Sequence, residues 1–209
     1  MTSLDFKLYM ITDRHQTAGR PLLEVIEAAV LSGISVIQFR EKDLSPRKQF
    51  DLAVKVKKVT DHYGVSLMIN DRVDLCLALD AAGVHLPSTG LSVGLVRALV
   101  GPDKRIAVSC HSILELKQAE ALGADFAVFG PIYDTPSKRS YGAALGLPVL
   151  KQAVLEVQMP FFAIGGINQS RLADIFSAGA DGVAMISEIS TADDIQARCR
   201  SLVQASKML

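Results

Sequence analysis

The stretch FFAIGGIN, residues 161–168, places two glycines directly between an apolar run and a segment with helical character. The apolar run, residues 161–164, has the length of a buried strand, and residues 169–178 have the pattern of a helix. Glycines let backbone N–H groups approach a ligand closely, and the N-terminus of a following helix favours an anion. Gly165 and Gly166 therefore predict either a phosphate site or a tight turn that requires positive φ.

The same strand-then-helix unit repeats along the chain. The predicted strands are residues 7–12, 36–39, 67–69, 83–86, 106–109, 126–129, 161–164 and 183–186. The predicted helices are residues 22–31, 45–63, 73–79, 93–100, 113–122, 148–157, 169–178 and 193–206. Four joints, LSGISVIQF, DAAGVHL, ALGADFAVFG and SAGADGVAMIS, each place glycine at a helix end just before an apolar strand. The predicted strands are almost continuously apolar, which is typical of a parallel sheet that is buried on both faces.

Two architectures fit this repeat, a closed (β/α)8 barrel and a doubly wound open sheet. An open sheet that binds a dinucleotide would carry G-x-G-x-x-G after its first strand, and YMITDRHQTAGR, residues 9–20, has no such motif. We therefore predict a single compact (β/α)8 barrel, an α/β domain that spans residues 1–209.

Composition narrows the range of partners. Lys and Arg together number 22, as do Asp and Glu, so net charge gives no reason to expect nucleic acid or a membrane surface. Cys76, Cys110 and Cys199 lack the paired spacings of a structural metal site or a disulfide framework, which fits a reducing cytoplasm. No run of about 18 uncharged apolar residues is present. We expect a cytoplasmic protein with small-molecule partners.

In a barrel of this kind the chemistry lies at the carboxyl ends of the strands, and phosphate is often held after strands seven and eight. Gly165 and Gly166 follow the seventh predicted strand, and Ile186 and Ser187 lie at the end of the eighth. This position favours the phosphate interpretation of the two glycines. The other strand ends and the long loop of residues 130–146 carry polar residues, namely Gln38, Arg40, Glu41, Lys42, Asn70, Asp71, Ser109, His111, Thr135, Ser137 and Lys138.

Several of these polar residues have a structural interpretation as well as a functional one. Gln38 and Arg40 lie two apart on a strand, so their side chains share a face and favour a binding role, although residues 40–42 could be a solvated charge run. Asn70 and Asp71 could cap the helix that follows, or contact a metal or a phosphate.

The histidines and cysteines divide in the same way. Because imidazole titrates near neutral pH, His111 is the best acid/base candidate of the four histidines, although it could simply satisfy a hydrogen bond. His85, alone on a short strand, is expected to be structural. Cys110 and His111 are neighbours on a strand and point to opposite faces, which argues against a nucleophilic thiolate at Cys110.

Six segments together resemble the thiamine-phosphate synthase and TenI superfamily over almost the whole chain. They are QFREK (38–42), IND (69–71), SCHS (109–112), FGPIYDTPSK (129–138), GGIN (165–168) and AMIS (184–187). The resemblance implies a (β/α)8 barrel that handles hydroxyethylthiazole phosphate in thiamine biosynthesis.

In the synthase of this superfamily, an aminopyrimidine diphosphate loses pyrophosphate and the thiazole nitrogen attacks the resulting methylene cation. The resemblance implies that Asp71 holds Mg²⁺ and that Arg40 and Lys138 act on the diphosphate in catalysis. His111 stays a catalytic candidate through its acid/base chemistry. The substrate-binding residues that the resemblance implies are Gln38, Arg40, Glu41, Lys42, Asn70, Ser109, Thr135, Ser137, Lys138, Gly165, Gly166, Ile186 and Ser187.

One segment departs from the synthase pattern. After His85-Leu86 the synthase carries G-Q-x-D, whose aspartate is a second Mg²⁺ ligand, whereas this chain reads PSTG and places Gly90 at that position. The departure resembles TenI proteins, which tautomerise a thiazole carboxylate phosphate without a metal and would use His111 for proton transfer. The retained residues Arg40, Lys42, Asp71 and Lys138 favour the synthase, and we take it as the main interpretation.

Other possibilities belong to other classes. One is a catalytically silent barrel that binds thiazole phosphate or thiamine phosphate, and another is a phosphosugar isomerase with Glu41 or Asp71 as its base. Compact barrels often pair through helices or loops, so a homodimer is also considered. Gly142 and Gly146 suggest that the loop of residues 130–146 closes over the diphosphate as a lid.

Overall fold

The computed structural model describes residues 4–135 and 143–208, and these form a closed barrel of eight parallel strands. The strands are β1 (Leu8–Ile11), β2 (Val36–Phe39), β3 (Ser66–Asn70), β4 (Gly83–Leu86), β5 (Arg105–Cys110), β6 (Phe126–Phe129), β7 (Phe161–Ala163) and β8 (Gly182–Met185). Neighbours in sequence pair in parallel, and β8 closes the barrel by pairing with β1. The predicted fold class is confirmed.

Helices surround this barrel. They are α1 (Leu22–Val30), α2 (Pro46–His62), α3 (Val73–Ala78), α4 (Val93–Val100), α5 (Ile113–Ala121), α6 (Gly146–Glu156), α7 (Leu172–Ser177), α8 (Ser187–Ser190) and α9 (Ile195–Lys207). None of the described helices is both long enough and apolar enough to cross a bilayer.

The core has two layers because successive side chains on a strand point to opposite sides. Leu8 and Met10 of β1 belong to the larger apolar cluster, together with the inner faces of the helices. Tyr9 and Ile11 belong to a smaller cluster inside the barrel, with aromatic residues such as Phe126. Near the carboxyl ends of the strands, the inward positions of β2, β3, β4 and β5 are polar, and these residues form one side of the floor of the barrel mouth. They are Gln38, Asn70, His85 and Ser109.

The predicted bounds of β2, β4, β6 and α4 agree with the structure. Two differences lie near the expected phosphate site. The predicted helix at residues 169–178 opens as a 3₁₀ turn at Gln169–Arg171 before α7 begins. The short helix α8 was not predicted, since a single turn of four residues is too short to show helical periodicity.

Candidate active site

A cavity of about 260 Å³ opens at the mouth of the barrel, where the carboxyl ends of the strands meet. Each of the eight strands, or the loop directly after it, contributes at least one residue to the lining of this cavity. The lining residues are Ile11, Asp13, Gln16, Gln38, Arg40, Lys42, Asn70, His85, Pro87, Ser88, Thr89, Ser109, His111, Val128, Gly130, Ile164 and Ile186.

The strand alternation explains why Gln38 and Arg40 both line this cavity. Gln38 points into the barrel from β2, and Arg40 follows two residues later on the same side. The backbone N–H of Arg40 donates to Thr12 Oγ1 at 2.9 Å, which holds this turn against the end of β1. Asn70 reaches the cavity in the same way from β3 and is buried.

Two cations lie on one side of the cavity. Partial desolvation and the nearby Arg40 charge lower the pKa of Lys42, while Asp71 opposes the shift. Because Lys42 and Arg40 repel each other, the protein holds positive charge in place before a ligand arrives. An anionic group of the ligand would relieve that repulsion, so this side of the cavity favours a phosphate or diphosphate.

A buried polar network forms the floor of the cavity. Gln38 Nε2 donates to Tyr9 Oη at 3.1 Å, and Tyr9 Oη lies 3.3 Å from His85 Nδ1. His85 Nε2 lies 2.9 Å from Ser109 Oγ. His85 is thus part of the polar floor as well as structural.

His111 lines the opposite side of the cavity from the end of β5. Its Nδ1 lies 2.6 Å from the carbonyl oxygen of Gly130, which can only accept a hydrogen bond, so Nδ1 carries the proton. Its backbone N–H donates to the Glu115 carboxylate at 2.6 Å. Cys110 is buried in the outer core, and burial raises the pKa of its thiol to about 12. The predicted division between the two neighbours is confirmed.

A second, smaller space of about 80 Å³ adjoins the first and shares Gln16, Ile164 and Ile186 with it. Gly165 and Gly166 line it, with φ values of 99° and 62°, in the left-handed region that glycine tolerates. The remaining lining residues are Thr135, Ile167, Ala184, Met185, Ser187 and Glu188.

Backbone N–H groups give this smaller space its chemistry. In the described part of the chain, no acceptor takes a hydrogen bond from the backbone N–H of Gly165, Gly166 or Ser187. Ser187 begins α8, whose first N–H groups have no partner within the helix. Three such donors around a small space form a site suited to one phosphate group.

Comparison with known proteins agrees with this geometry. The family model described as thiamine monophosphate synthase matches residues 8–189. The chain belongs to the thiamine monophosphate synthase family. This confirms the resemblance to the thiamine-phosphate synthase and TenI superfamily.

Named relatives of this family are similar along nearly their full length. The thiamine-phosphate synthase of Chloroflexus aurantiacus is 43% identical over 199 residues, which cover 95% of this chain and 92% of that protein. The thiamine-phosphate synthase of Clostridium botulinum is 39% identical over 200 residues, covering 96% and 98%. These relatives favour the synthase interpretation over the tautomerase.

Solved structures with the same fold include one protein of this family. The thiamine phosphate pyrophosphorylase of Pyrococcus furiosus superposes with a TM-score of 0.88 at 31% identity, covering 97% of this chain and 96% of that one. A 3-hexulose-6-phosphate synthase superposes with a TM-score of 0.74 at 18% identity, a likeness that concerns the fold alone.

Not every predicted site residue of this family member lies in the cavity. Glu41 is buried beside it, where its carboxylate accepts from Thr12 Oγ1 at 2.8 Å and from Arg14 Nη1 at 3.0 Å. Because Thr12 also holds the backbone of Arg40, Glu41 supports the site indirectly. Glu41 does not line the cavity, and its contact with substrate stays a prediction.

Asp71 is exposed at the rim, next to Lys42, with a φ of 65°. No described residue donates a hydrogen bond to its carboxylate, and non-glycine residues in this backbone region often mark a functional position. Its backbone N–H donates to the His85 carbonyl oxygen at 2.8 Å, which ties it to β4. The alternative of a helix cap is not realised, since α3 has no side-chain cap.

The segment that departs from the synthase pattern forms a tight turn. The Gly90 N–H donates to the Pro87 carbonyl oxygen at 2.9 Å. A Cβ atom added at Gly90 would lie 2.9 Å from Pro87 Cδ and 3.1 Å from the Pro87 carbonyl oxygen. An aspartate at position 90 would therefore require this turn to shift.

Some predicted residues of the long loop cannot be compared with the structure, and two residues beside the cavity were not predicted. Ser137 and Lys138 lie outside the described residues, as do residues 139–142 of the predicted lid. Sequence reasoning missed Tyr9 and Gln16. Tyr9 could have been found, since it alternates with Leu8 and Met10 on a buried strand, but Gln16 lies in a loop with no periodic signal.

Proposed function

We propose that this protein joins an aminopyrimidine diphosphate to hydroxyethylthiazole phosphate, giving thiamine phosphate and pyrophosphate. One observation carries the proposal: a cavity with a cationic side adjoins a phosphate-sized space, and three residues that line this space have backbone N–H groups with no acceptor in the described part of the chain. Two phosphorylated molecules can be held there at once. Membership of the thiamine monophosphate synthase family supports the same activity.

The two spaces assign a part of the reaction to each group of residues. Arg40 and Lys42 would hold the diphosphate, and Gln38 and Ser109 would hold the pyrimidine ring at the floor. The smaller space, lined by Gly165, Gly166 and Ser187, would hold the thiazole phosphate. We assign the meeting point of the substrates to the wall of Ile164 and Ile186 that the two spaces share.

The reaction itself is a displacement at the pyrimidine methylene carbon. The carbon–oxygen bond to the diphosphate breaks, and pyrophosphate leaves with the electron pair. The lone pair of the thiazole nitrogen then forms the new carbon–nitrogen bond, and no proton has to move. Positive charge fixed at Arg40 and Lys42 stabilises the charge that develops on the leaving group. The apolar wall of Ile164 and Ile186 keeps water away from the methylene cation.

The predicted Mg²⁺ has a narrower basis. The described residues contain no cluster of three carboxylate, imidazole or thiol groups that could hold a metal ion. Mg²⁺ is usually bound through one or two carboxylates together with substrate phosphates and water, so Asp71 fits as the single protein ligand. When bound, Mg²⁺ would neutralise part of the charge on the diphosphate.

The test combines binding with turnover. Titration with aminopyrimidine diphosphate by calorimetry, with and without Mg²⁺, should show Mg²⁺-dependent binding, and added thiazole phosphate should yield thiamine phosphate. Arg40→Gln should lower kcat by about a hundredfold because a charge at the leaving group is lost. Arg47→Gln, which removes an exposed arginine paired with Asp51 on α2, is the matched control and should leave turnover unchanged.

A contrary result is equally specific. If the protein binds thiazole phosphate but makes no thiamine phosphate, the proposed synthase activity is wrong. Isomerisation of a thiazole carboxylate phosphate that is lost in His111→Gln would then identify the tautomerase. If the protein has neither activity but still binds thiazole phosphate, it is a silent binding protein.

A further inference from the structure

The polar network at the floor of the cavity carries an inference about direction. Tyr9, Gln38 and His85 are each no more than 2% exposed, and they link to Ser109 in one chain of hydrogen bonds. Hydrogen bonds have a direction, since each needs one donor and one acceptor. In a chain of buried groups the direction of one bond therefore constrains the next.

The direction follows from the phenol of Tyr9. Its oxygen accepts from Gln38 Nε2, and its own proton needs an acceptor, because an unsatisfied buried donor is costly. Burial raises the pKa of Tyr9 far above the ordinary value, so the phenol keeps this proton. Among the described residues, His85 Nδ1 is the one acceptor within hydrogen-bond distance of the phenol proton. Tyr9 therefore donates to Nδ1.

The histidine passes this direction on to Ser109. With Nδ1 accepting, the neutral ring carries its proton on Nε2 and donates it to Ser109 Oγ at 2.9 Å. The Ser109 hydroxyl proton is then left to point elsewhere, and Ser109 lines the cavity. Gln38 uses its amide nitrogen on Tyr9, so its side-chain oxygen is left as an acceptor for a ligand.

We propose that Tyr9 is a positioning residue that sets the hydrogen-bond polarity of the cavity floor. It makes Ser109 a donor and the Gln38 side-chain oxygen an acceptor toward the ligand. This arrangement fits the edge of a heteroaromatic ring in which a ring nitrogen lies beside an amino group. The identification of that ring as the aminopyrimidine rests on the proposed function, whereas the polarity itself does not.

The surroundings of Tyr9 make it a good site for a conservative test. Its ring packs inside the barrel against Phe126 and Phe162, at centroid distances of 5.5 and 6.2 Å. These contacts involve the ring and not the hydroxyl group. Tyr9→Phe therefore removes the hydroxyl hydrogen bonds while the aromatic packing is kept.

The first measurement needs neither a variant nor a substrate. Nitrogen-15 NMR of the ligand-free wild type at alkaline pH distinguishes a protonated ring nitrogen from an unprotonated one. We expect His85 with its proton on Nε2 and a bare Nδ1, and in Tyr9→Phe a shift of both signals toward a mixture of the two forms. A wild-type proton on Nδ1 would overturn the proposal, whatever reaction the protein catalyses.

The second measurement is kinetic. In Tyr9→Phe we expect the KM for aminopyrimidine diphosphate to rise about tenfold, and the KM for thiazole phosphate to stay the same. Preference for the substrate over its analogue with an oxo group in place of the amino group should fall, because the floor no longer has one polarity. Tyr63→Phe is the matched control. The Tyr63 phenol donates a hydrogen bond to the Glu27 carboxylate at 3.0 Å, and this pair lies far from the barrel mouth.

The two failures can be told apart. If Tyr9→Phe keeps the wild-type KM and the wild-type discrimination, Tyr9 does not set the polarity and the inference is wrong. If the wild type makes no thiamine phosphate while the His85 signals are as expected, only the proposed function has failed.

Discussion

Gly166→Ala offers a sharp test of the phosphate-binding turn, because the chain supplies a control with almost the same backbone angle. Gly166 has a φ of 62°, and Gly64, which follows α2 at the opposite end of the barrel, has a φ of 66°. Alanine at either position has to adopt a left-handed backbone, which costs roughly 1–2 kcal/mol. The gain from restricting the unfolded chain is the same for both changes and cancels in the comparison.

The two positions differ in what a new side chain meets. A Cβ atom at Gly64 has no neighbour within 4 Å. A Cβ atom at Gly166 would lie 2.9 Å from Tyr133 Cβ and 3.0 Å from the Asp134 carbonyl oxygen. Crowding of this kind adds about 1–3 kcal/mol, so we expect Gly166→Ala to be less stable than Gly64→Ala by that amount.

Function should separate the two variants as well. Relief of the crowding moves the Gly166 N–H away from the phosphate-sized space, so the KM for thiazole phosphate should rise by at least about tenfold, and the KM for aminopyrimidine diphosphate should not. Urea unfolding measures the stability difference, and steady-state kinetics measures the two KM values. The reasoning is refuted if Gly166→Ala matches Gly64→Ala in both stability and KM for thiazole phosphate.

Three further predictions concern charged and titratable groups. Because the pKa of Lys42 is lowered, its charge is lost at a lower pH than that of an ordinary lysine. Affinity for the diphosphate, measured by calorimetry over a pH series, should therefore fall as the pH rises through that range. Lys42→Arg should remove this fall. Glu41→Gln should lower the free energy of unfolding by about 2 kcal/mol, since a buried carboxylate that holds Thr12 and Arg14 is lost. Asp43→Asn, at the exposed end of the same cluster, is the control and should change thermal stability little. Cys110→Ala should keep full turnover, and wild-type Cys110 should react slowly with iodoacetamide, because its pKa of about 12 leaves almost no thiolate at neutral pH; loss of turnover in the variant would contradict this.

The fold could be predicted because its signals are local. Each strand is a short apolar run, each helix has its own periodicity, and glycine marks the joints, as at Gly33 and Gly179 with φ values of 97° and 96°. The missed helix α8 shows the limit of that reasoning. This single turn of four residues follows the end of β8 and packs against α9, and contacts of this kind leave no periodic pattern in the sequence.

The candidate site was predictable where strand periodicity reaches into it. Gln38, Arg40 and Ser109 could be placed at the mouth because alternation gives them a side, and Gly165 and Gly166 because of their position after β7. The direction of a loop side chain has no such rule. Glu41 was expected to contact substrate, and in the structure its carboxylate accepts hydrogen bonds from Thr12 and Arg14.

The sequence by itself determined the barrel, its polar mouth and the family, since apolar periodicity, glycine positions and short motifs are properties of neighbouring residues. Only the tertiary structure decided which polar groups meet. Tyr9, Gln38, His85 and Ser109 come from four different strands, and closure of the barrel brings them into one hydrogen-bonded chain. The register between strands sets those contacts, and it depends on how every side chain in the interior packs at once.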